Sequence, residues 1–530
     1  MVDLEEALSA PPAFSRGIWA HGPAWVDRVA ICEYREGGET EGRDVTFGEL
    51  MAGAHVVARA LADLGMRPGD TVATMLPNCI EFLELYFATQ ESGLYLTPVN
   101  YHLTWEEVAY QLEDSGSTVL VVHERFADVA RWAAARAGLP SARCLAVGAI
   151  DGFTPLTTVL DHHPPFPPDE RQPGEMMVYT SGTTGRPKGV RRPLGQGDLI
   201  PQLEVMVAVT LGDHPEGGIH LVCAPLYHRG PNIPAISALH AGQTLVMMDR
   251  FDPERALQLI DQHRVTTSFM VPTMFHRLLA LPDDVKSRYD TSSLRRVIHS
   301  AAPCPVEIKR RMIMWWGPVI YESYGATEGG GTTVTPQDWL RKPGTVGRPW
   351  VGAEVHIFDD DGNPCPPGVP GRVFVKSASP AFMYHQDWDK TLGSRLGELI
   401  TLGDVGYLDE EGFLFLCGRQ SDMIISGGVN VYPAEVEGVL LQHPEVRDAG
   451  VIGIPDEEWG ERVHAVVQLY DPGGGSAAEQ RLLAFCREHL AAYKCPHSIE
   501  VRGELPRTEA GKLYKRRIRD EYWAATGRQI

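Results

Sequence analysis

The sequence predicts an α/β fold built in layers, and three observations predict it. Apolar strand-like runs alternate with capped amphipathic helices over most of the chain. Between residues 344 and 416 that alternation gives way to short strands punctuated by glycine and proline. After Arg419 the pattern changes again, and residues 420–530 read as a separate compact stretch. At 530 residues the chain exceeds what one hydrophobic core usually covers, so at least two domains are expected.

In chain order, Thr46-Phe47-Gly48-Glu49 and Thr104-Trp105-Glu106-Glu107 each fit a capping box, in which a hydroxyl and a Glu three residues on satisfy two orphan amides. Thr118-Val119-Leu120-Val121-Val122 is a strand candidate, as are Thr244-Leu245-Val246-Met247 and Arg296-Val297-Ile298. Asp252-Pro253 opens a helix with Ala256, Leu257, Leu259, Ile260 and His263 along one face. Gly344-Thr345-Val346-Gly347, Asp360-Asp361-Gly362-Asn363 and Pro366-Pro367-Gly368 are the turn signals of the mostly β region. The boundary of the last stretch falls near Gly418–Asp422, and Asp471-Pro472-Gly473-Gly474-Gly475-Ser476 reads as a loop within it. No internal repeat is present.

Composition excludes several classes of function. The balance of 48 basic against 69 acidic residues gives a net charge of −21, the wrong sign for a nucleic-acid binder or a polybasic membrane surface. The nine cysteines include no C-x-x-C pair, which argues against a zinc site or a disulfide framework and suits a reducing compartment. The start, Met1-Val2-Asp3-Leu4-Glu5-Glu6, is acidic and is no signal peptide. No apolar run approaches the roughly 18–20 residues that span a bilayer, so no stable membrane insertion and a cytoplasmic location are expected.

The most informative segment is Tyr179-Thr180-Ser181-Gly182-Thr183-Thr184-Gly185-Arg186-Pro187-Lys188-Gly189-Val190, after the apolar strand start Met176-Met177-Val178. Generic Ser/Gly/Thr stretches are more often surface loops. Here hydroxyls and glycine amides are dense enough to surround a polyphosphate, and Lys188 adds a positive charge. The segment is not a Walker A loop, because Pro187 precedes the lysine and no Ser or Thr follows it. That weighs against a P-loop regulatory nucleotide binder, the alternative from another functional class.

This segment resembles the phosphate loop of the adenylate-forming superfamily, which contains acyl-CoA synthetases, peptide-synthetase adenylation domains and beetle luciferases. Further motifs follow in the family's order over nearly the whole chain. The resemblance implies a large N-terminal domain, residues 1–419, of two α/β layered subdomains and a small β-barrel-like subdomain. A smaller mobile α+β C-terminal domain, residues 420–530, would follow.

The resemblance also implies roles for individual residues. Thr180, Ser181, Gly182, Thr183, Thr184, Gly185 and Lys188 would cradle the phosphates of ATP, with Thr183 also near the metal. In Tyr324-Gly325-Ala326-Thr327-Glu328, Tyr324 would stack on adenine, Thr327 contact the α-phosphate and Glu328 hold Mg²⁺, a cation that favours a carboxylate plus phosphate oxygens and water. Asp404 would accept from both ribose hydroxyls, and Arg419 would contact ribose or phosphate. Tyr227, His228, Ala301, Ala302, Gly329 and Gly330 would line the acyl pocket, and Gly427 and Gly428 the pantetheine tunnel. Lys512, in Pro506-Arg507-Thr508-Glu509-Ala510-Gly511-Lys512, matches the catalytic lysine, whereas Lys515, Arg516, Arg517 and Arg519 read as a solvated basic tail. Relatives usually carry Asp or Lys at the hinge, where this chain has Ser421.

The implied activity is an ATP-dependent acyl-CoA ligase. It would adenylate a hydrophobic carboxylic acid (a medium or long fatty acid, or an aryl or ring-bearing one) and pass the acyl group to coenzyme A. A carrier protein's phosphopantetheine is the alternative acceptor. A homodimer is compatible with the sequence, which does not fix the oligomeric state.

Overall fold

Thr46 and Thr104 each accept a hydrogen bond from the amide of the Glu three residues on, and each donates its own amide to that Glu carboxylate. Both capping boxes therefore form, and they start the helices Phe47–Asp63 and Trp105–Ser115. The computed structural model describes residues 17–20, 25–35, 43–161, 163–168, 170–180, 187–195, 207, 210–212, 217–376, 382–426, 429–456, 459–471, 475–507 and 513–524.

The first layers are organised by a parallel sheet whose order is Thr154–Pro155, Cys144–Val147, Ser117–His123, Thr71–Met75, Tyr95–Pro98 and Glu175–Met176. Parallel sheets of this kind are buried on both faces, which explains the near-continuous apolar run in Ser117–His123. Val119 and Val121 pack with Leu50, Leu61 and Phe82 on one face. Leu120 and Val122 pack with Val108, Leu112 and Ala133 on the other.

A second, larger sheet has a parallel centre of Val29–Tyr34, Thr244–Met248, Ile219–Val222, Thr267–Met270, Arg296–His299 and Ile320–Gly325. It continues through antiparallel strands Gly331–Val334, Thr345–Pro349, Leu414–Arg419, Leu399–Leu408, Gly371–Lys376 and Glu354–Phe358. The β-rich region is thus an extension of this sheet, with its own core of Val355, Val373, Val375, Ile400 and Leu414. In the helix Pro253–His263, Ala256, Leu257, Leu259 and Ile260 are buried as expected, while His263 pairs with the Tyr34 hydroxyl at 2.6 Å.

After Arg419 a short turn, Gln420–Asp422, leads into another sheet made of Val429–Val431, Ile424–Ser426, Gly460–Leu469, Val446–Asp456 and Ser498–Val501. Its core, including Val436, Val451, Val463, Leu482 and Ile499, is separate from the cores before it. The helix Gly475–His489 starts inside the stretch read as loop. Lys515 and Arg519 correct the reading of a solvated tail. They lie on the helix Lys515–Trp523 and pair with Glu437 at 2.7 Å and Glu461 at 3.1 Å, because Ile518 and Trp523 bury the face between them. Among the described residues no helix is long and apolar enough to cross a membrane.

Candidate active site

Open α/β sheets hold ligands in the crevice outside the carboxyl ends of their parallel strands. Here the loops at that edge are 223–228 after Ile219–Val222, 300–305 after Arg296–His299 and 326–330 after Ile320–Gly325. All three carry residues singled out from the sequence. The last loop reverses the chain so that Gly325 pairs with Gly331. A Cβ on Gly331 would lie 2.1 Å from the Tyr324 carbonyl oxygen, so only glycine permits this reversal.

Tyr324, Asp404 and Arg419 converge, although they are far apart in sequence. Asp404 and Arg419 are register partners across Leu399–Leu408 and Leu414–Arg419. The Tyr324 hydroxyl donates to Asp404 Oδ2 at 2.7 Å, and Arg419 Nε lies 3.3 Å from Oδ1. Asp404 is 8% exposed, so these two donors compensate a carboxylate that burial would otherwise penalise. Burial first, and then Asp404, hold the Tyr324 hydroxyl well above its ordinary pKa.

Glu328 Oε1 accepts from the Tyr384 hydroxyl at 2.8 Å, and Lys390 Nζ lies 4.5 Å from the centroid of the same ring. Tyr384 belongs to the strand Met383–Tyr384, which pairs with Lys188–Arg191 at Val190. Lys188–Arg191 in turn pairs with Val178–Thr180, placing Lys188 opposite Thr180. Lys188 Nζ sits 3.1 Å from Asp387 Oδ2, and that hydrogen bond raises the lysine pKa. Asp387 also accepts from the Lys390 amide at 3.0 Å, which is the largest cause of its lowered pKa. The hairpin is tied down by Tyr179 donating to Asp114 at 2.6 Å and Tyr110 donating to the Pro187 carbonyl at 3.0 Å.

Tyr227 is buried, its ring 4.3 Å from that of His228 and 4.9 Å from that of Tyr101. His228 precedes the helix Arg229–His240 and makes no side-chain cap to it. Ala301 has φ +73°, a conformation that costs a residue with a Cβ, while Gly329 and Gly330 take positive φ freely. Ala302 follows Ala301 in the same loop, and the Thr327 carbonyl accepts from Arg192. Ser421 is exposed and donates to Asp422 at 3.3 Å. Ser181, Gly182, Thr183, Thr184, Gly185, Gly427, Gly428 and Lys512 lie outside the described residues.

Sequence reasoning missed Arg192, Tyr384, Asp387 and Lys390. Tyr384 is 56 residues from Glu328, and only the pairing of its short strand with Lys188–Arg191 brings it there. No local spacing encodes such a contact.

Among the described residues no three His, Cys, Asp or Glu side chains are grouped to cage a metal. A single carboxylate with one oxygen engaged by Tyr384 still fits Mg²⁺, which takes one or two carboxylates and draws its other ligands from phosphate and water.

Residues 19–385 match the model of the AMP-binding enzyme family, and residues 435–512 match that of the AMP-binding enzyme C-terminal domain. The chain is 35% identical over 500 residues to a 2-succinylbenzoate–CoA ligase of Geobacillus kaustophilus, covering 94% of this chain and 97% of that one. It is 32% identical over 498 residues to the fatty acid–[acyl-carrier-protein] ligase ScoC of Streptomyces coeruleorubidus, covering 92% and 94%. Its structure is similar to that of the o-succinylbenzoate CoA synthetase MenE of Bacillus subtilis in complex with the acyl-adenylate intermediate. The TM-score is 0.79 at 30% identity, covering 96% and 98% of the two chains.

Proposed function

We propose, from the premise that this chain belongs to the AMP-binding enzyme family, that it is an ATP-dependent acid–CoA ligase working in two half-reactions at one site. The observation that carries this reading is the joining of Asp404 and Arg419 to Tyr324, on the strand whose end presents Thr327 and Glu328. A carboxylate is a poor electrophile. In the first half-reaction its oxygen attacks the α-phosphorus of ATP, the bond to the β-phosphate oxygen breaks, and pyrophosphate leaves an acyl adenylate. In the second, a thiolate attacks the acyl carbon and AMP departs.

In this reading Tyr324 stacks on adenine and Asp404, oriented by Tyr324 and Arg419, accepts from the ribose hydroxyls. Thr180 and Lys188 stand at the two ends of the hairpin and hold phosphate with Ser181, Gly182, Thr183, Thr184 and Gly185. Lys188 exchanges its Asp387 partner for phosphate when ATP enters. Glu328 would hold Mg²⁺ with Thr183, and the ion would supply positive charge against the departing pyrophosphate. Lys512 reaches between carboxylate and α-phosphate during adenylation. Residues 420–530 form the domain that then turns about Ser421, withdrawing Lys512 and bringing Gly427 and Gly428 to line the thiol's approach.

The acyl end lies between Tyr227, His228, Ala301, Ala302, Gly329 and Gly330. Small residues there leave volume rather than fill it, so the acid is a medium or long fatty acid or an aryl or ring-bearing one. Catalytic efficiency in pyrophosphate exchange should favour octanoate or an aryl acid over acetate by at least roughly 100-fold, at about 0.8 kcal/mol per buried methylene. A preference for acetate contradicts the pocket reading. Likeness to a ligase that loads a carrier protein keeps that acceptor as a second reading.

A further inference from the structure

Arg192 follows the strand Lys188–Arg191 and is only 4% exposed. Its neighbour Arg191 turns the other way and lies over the Tyr95 ring, 4.1 Å from its centroid. One guanidinium nitrogen of Arg192, Nη2, donates to the carbonyl oxygen of Thr327. The other two, Nε and Nη1, are buried and meet no acceptor among the described residues. Three charges neighbour it: Arg229 repels it, while Glu175 and Glu328 favour its charged form from a distance, Glu175 lying 3.7 Å from Arg229 and Glu328 accepting from Tyr384. Burial is the largest cause that lowers the Arg192 pKa to about 10, so the group is still charged at neutral pH.

A buried charge with no carboxylate in contact is costly, and donors left unmade add to it. Guanidinium is also a planar fork suited to carboxylate and phosphate oxygens. Arg192 touches the Thr327 carbonyl, next to Glu328, and lies near Arg229, which follows His228. On the ligase reading these are the nucleotide and acyl ends of the site.

We infer that Arg192 is an oxyanion-binding residue of the substrate complex, its free N–H groups receiving either the carboxylate of the acid or a phosphate oxygen of ATP. The inference rests on the ligase reading for the identity of those two sources, but the binding it describes is measurable without turnover.

The test compares wild type with Arg192→Met and Arg192→Lys. KM for octanoate and for ATP is measured in pyrophosphate exchange, and thermal shifts are measured with ATP alone and octanoate alone. Arg192→Met should weaken one ligand roughly 10- to 100-fold, the range for a hydrogen bond to a charged group. Arg192→Lys should restore part of that loss. The ligand-free Tm of Arg192→Met should be equal to or above that of wild type, since a buried charge with two unmade donors has been removed. A change confined to octanoate assigns the carboxylate, and one confined to ATP assigns the phosphate. Both affinities within twofold of wild type, with a Tm several degrees lower, would make Arg192 a structural residue and overturn the inference. No exchange by wild type would instead sink the ligase reading, with the thermal shifts still reporting whether Arg192 binds an anion.

Discussion

Replacing Lys512 with Ala is expected to lower acid-dependent ATP–pyrophosphate exchange roughly 100- to 1000-fold, the range for removing one preorganised donor from a developing charge. Adenylation places negative charge on the α-phosphate and leaving oxygens, and Lys512 is the cation assigned to it. In the proposed mechanism the thiol half-reaction runs with that lysine withdrawn. Supplied with preformed acyl adenylate, the variant should therefore release AMP to CoA within a few-fold of the wild-type rate. Single-turnover measurement of the two halves separates them. Equal loss in both would mean that Lys512 does not act in adenylation alone.

Glu328→Gln should lower kcat roughly 100-fold and raise the magnesium concentration needed for half-maximal rate. The amide oxygen can still accept from the Tyr384 hydroxyl, so the contact that now holds the side chain survives. What is lost is the charge that would hold Mg²⁺ in the proposed mechanism, and a factor of 100 corresponds to about 2.7 kcal/mol. Magnesium titration of both proteins checks this. An unchanged magnesium dependence would assign the carboxylate to orientation of Tyr384 alone.

The readable parts of the fold were those in which local chemistry and long-range structure agree. Thr46 and Thr104 announce their helices because both halves of a capping box lie within four residues. The strand around Val119–Val122 is readable because a parallel strand buried on both faces must be apolar throughout. The segment read as phosphate-binding stands out in the sequence because its hydroxyls, glycines and lysine are adjacent, and its residues 181–186 lie outside the described residues. Tyr324, Asp404 and Arg419 came only through resemblance, since nothing local in a Gly-Asp pair signals that its carboxylate will meet a tyrosine hydroxyl 80 residues away.

Arg192 was missed for a related reason. Beside Arg191 it reads as one of two exposed basic residues, yet strand alternation sends Arg191 to Tyr95 and Arg192 inward to a carbonyl 135 residues on. Lys515 and Arg519 were misread in the same direction. A run of basic residues looks solvated until the helix Pro433–Leu440 and the strand Gly460–Leu469 bring Glu437 and Glu461 beneath it. Charge in a sequence shows what could be paired, and only tertiary packing decides with what.

Adenylation followed by thiol transfer is decided by one product analysis. The protein is incubated with ATP, Mg²⁺ and octanoate, with and without CoA, and the nucleotide and acyl products are quantified. Pyrophosphate and acyl adenylate formed with octanoate alone, joined by AMP and octanoyl-CoA only when CoA is added, is the predicted result. ADP as the nucleotide product, or no dependence on any acid, would contradict it.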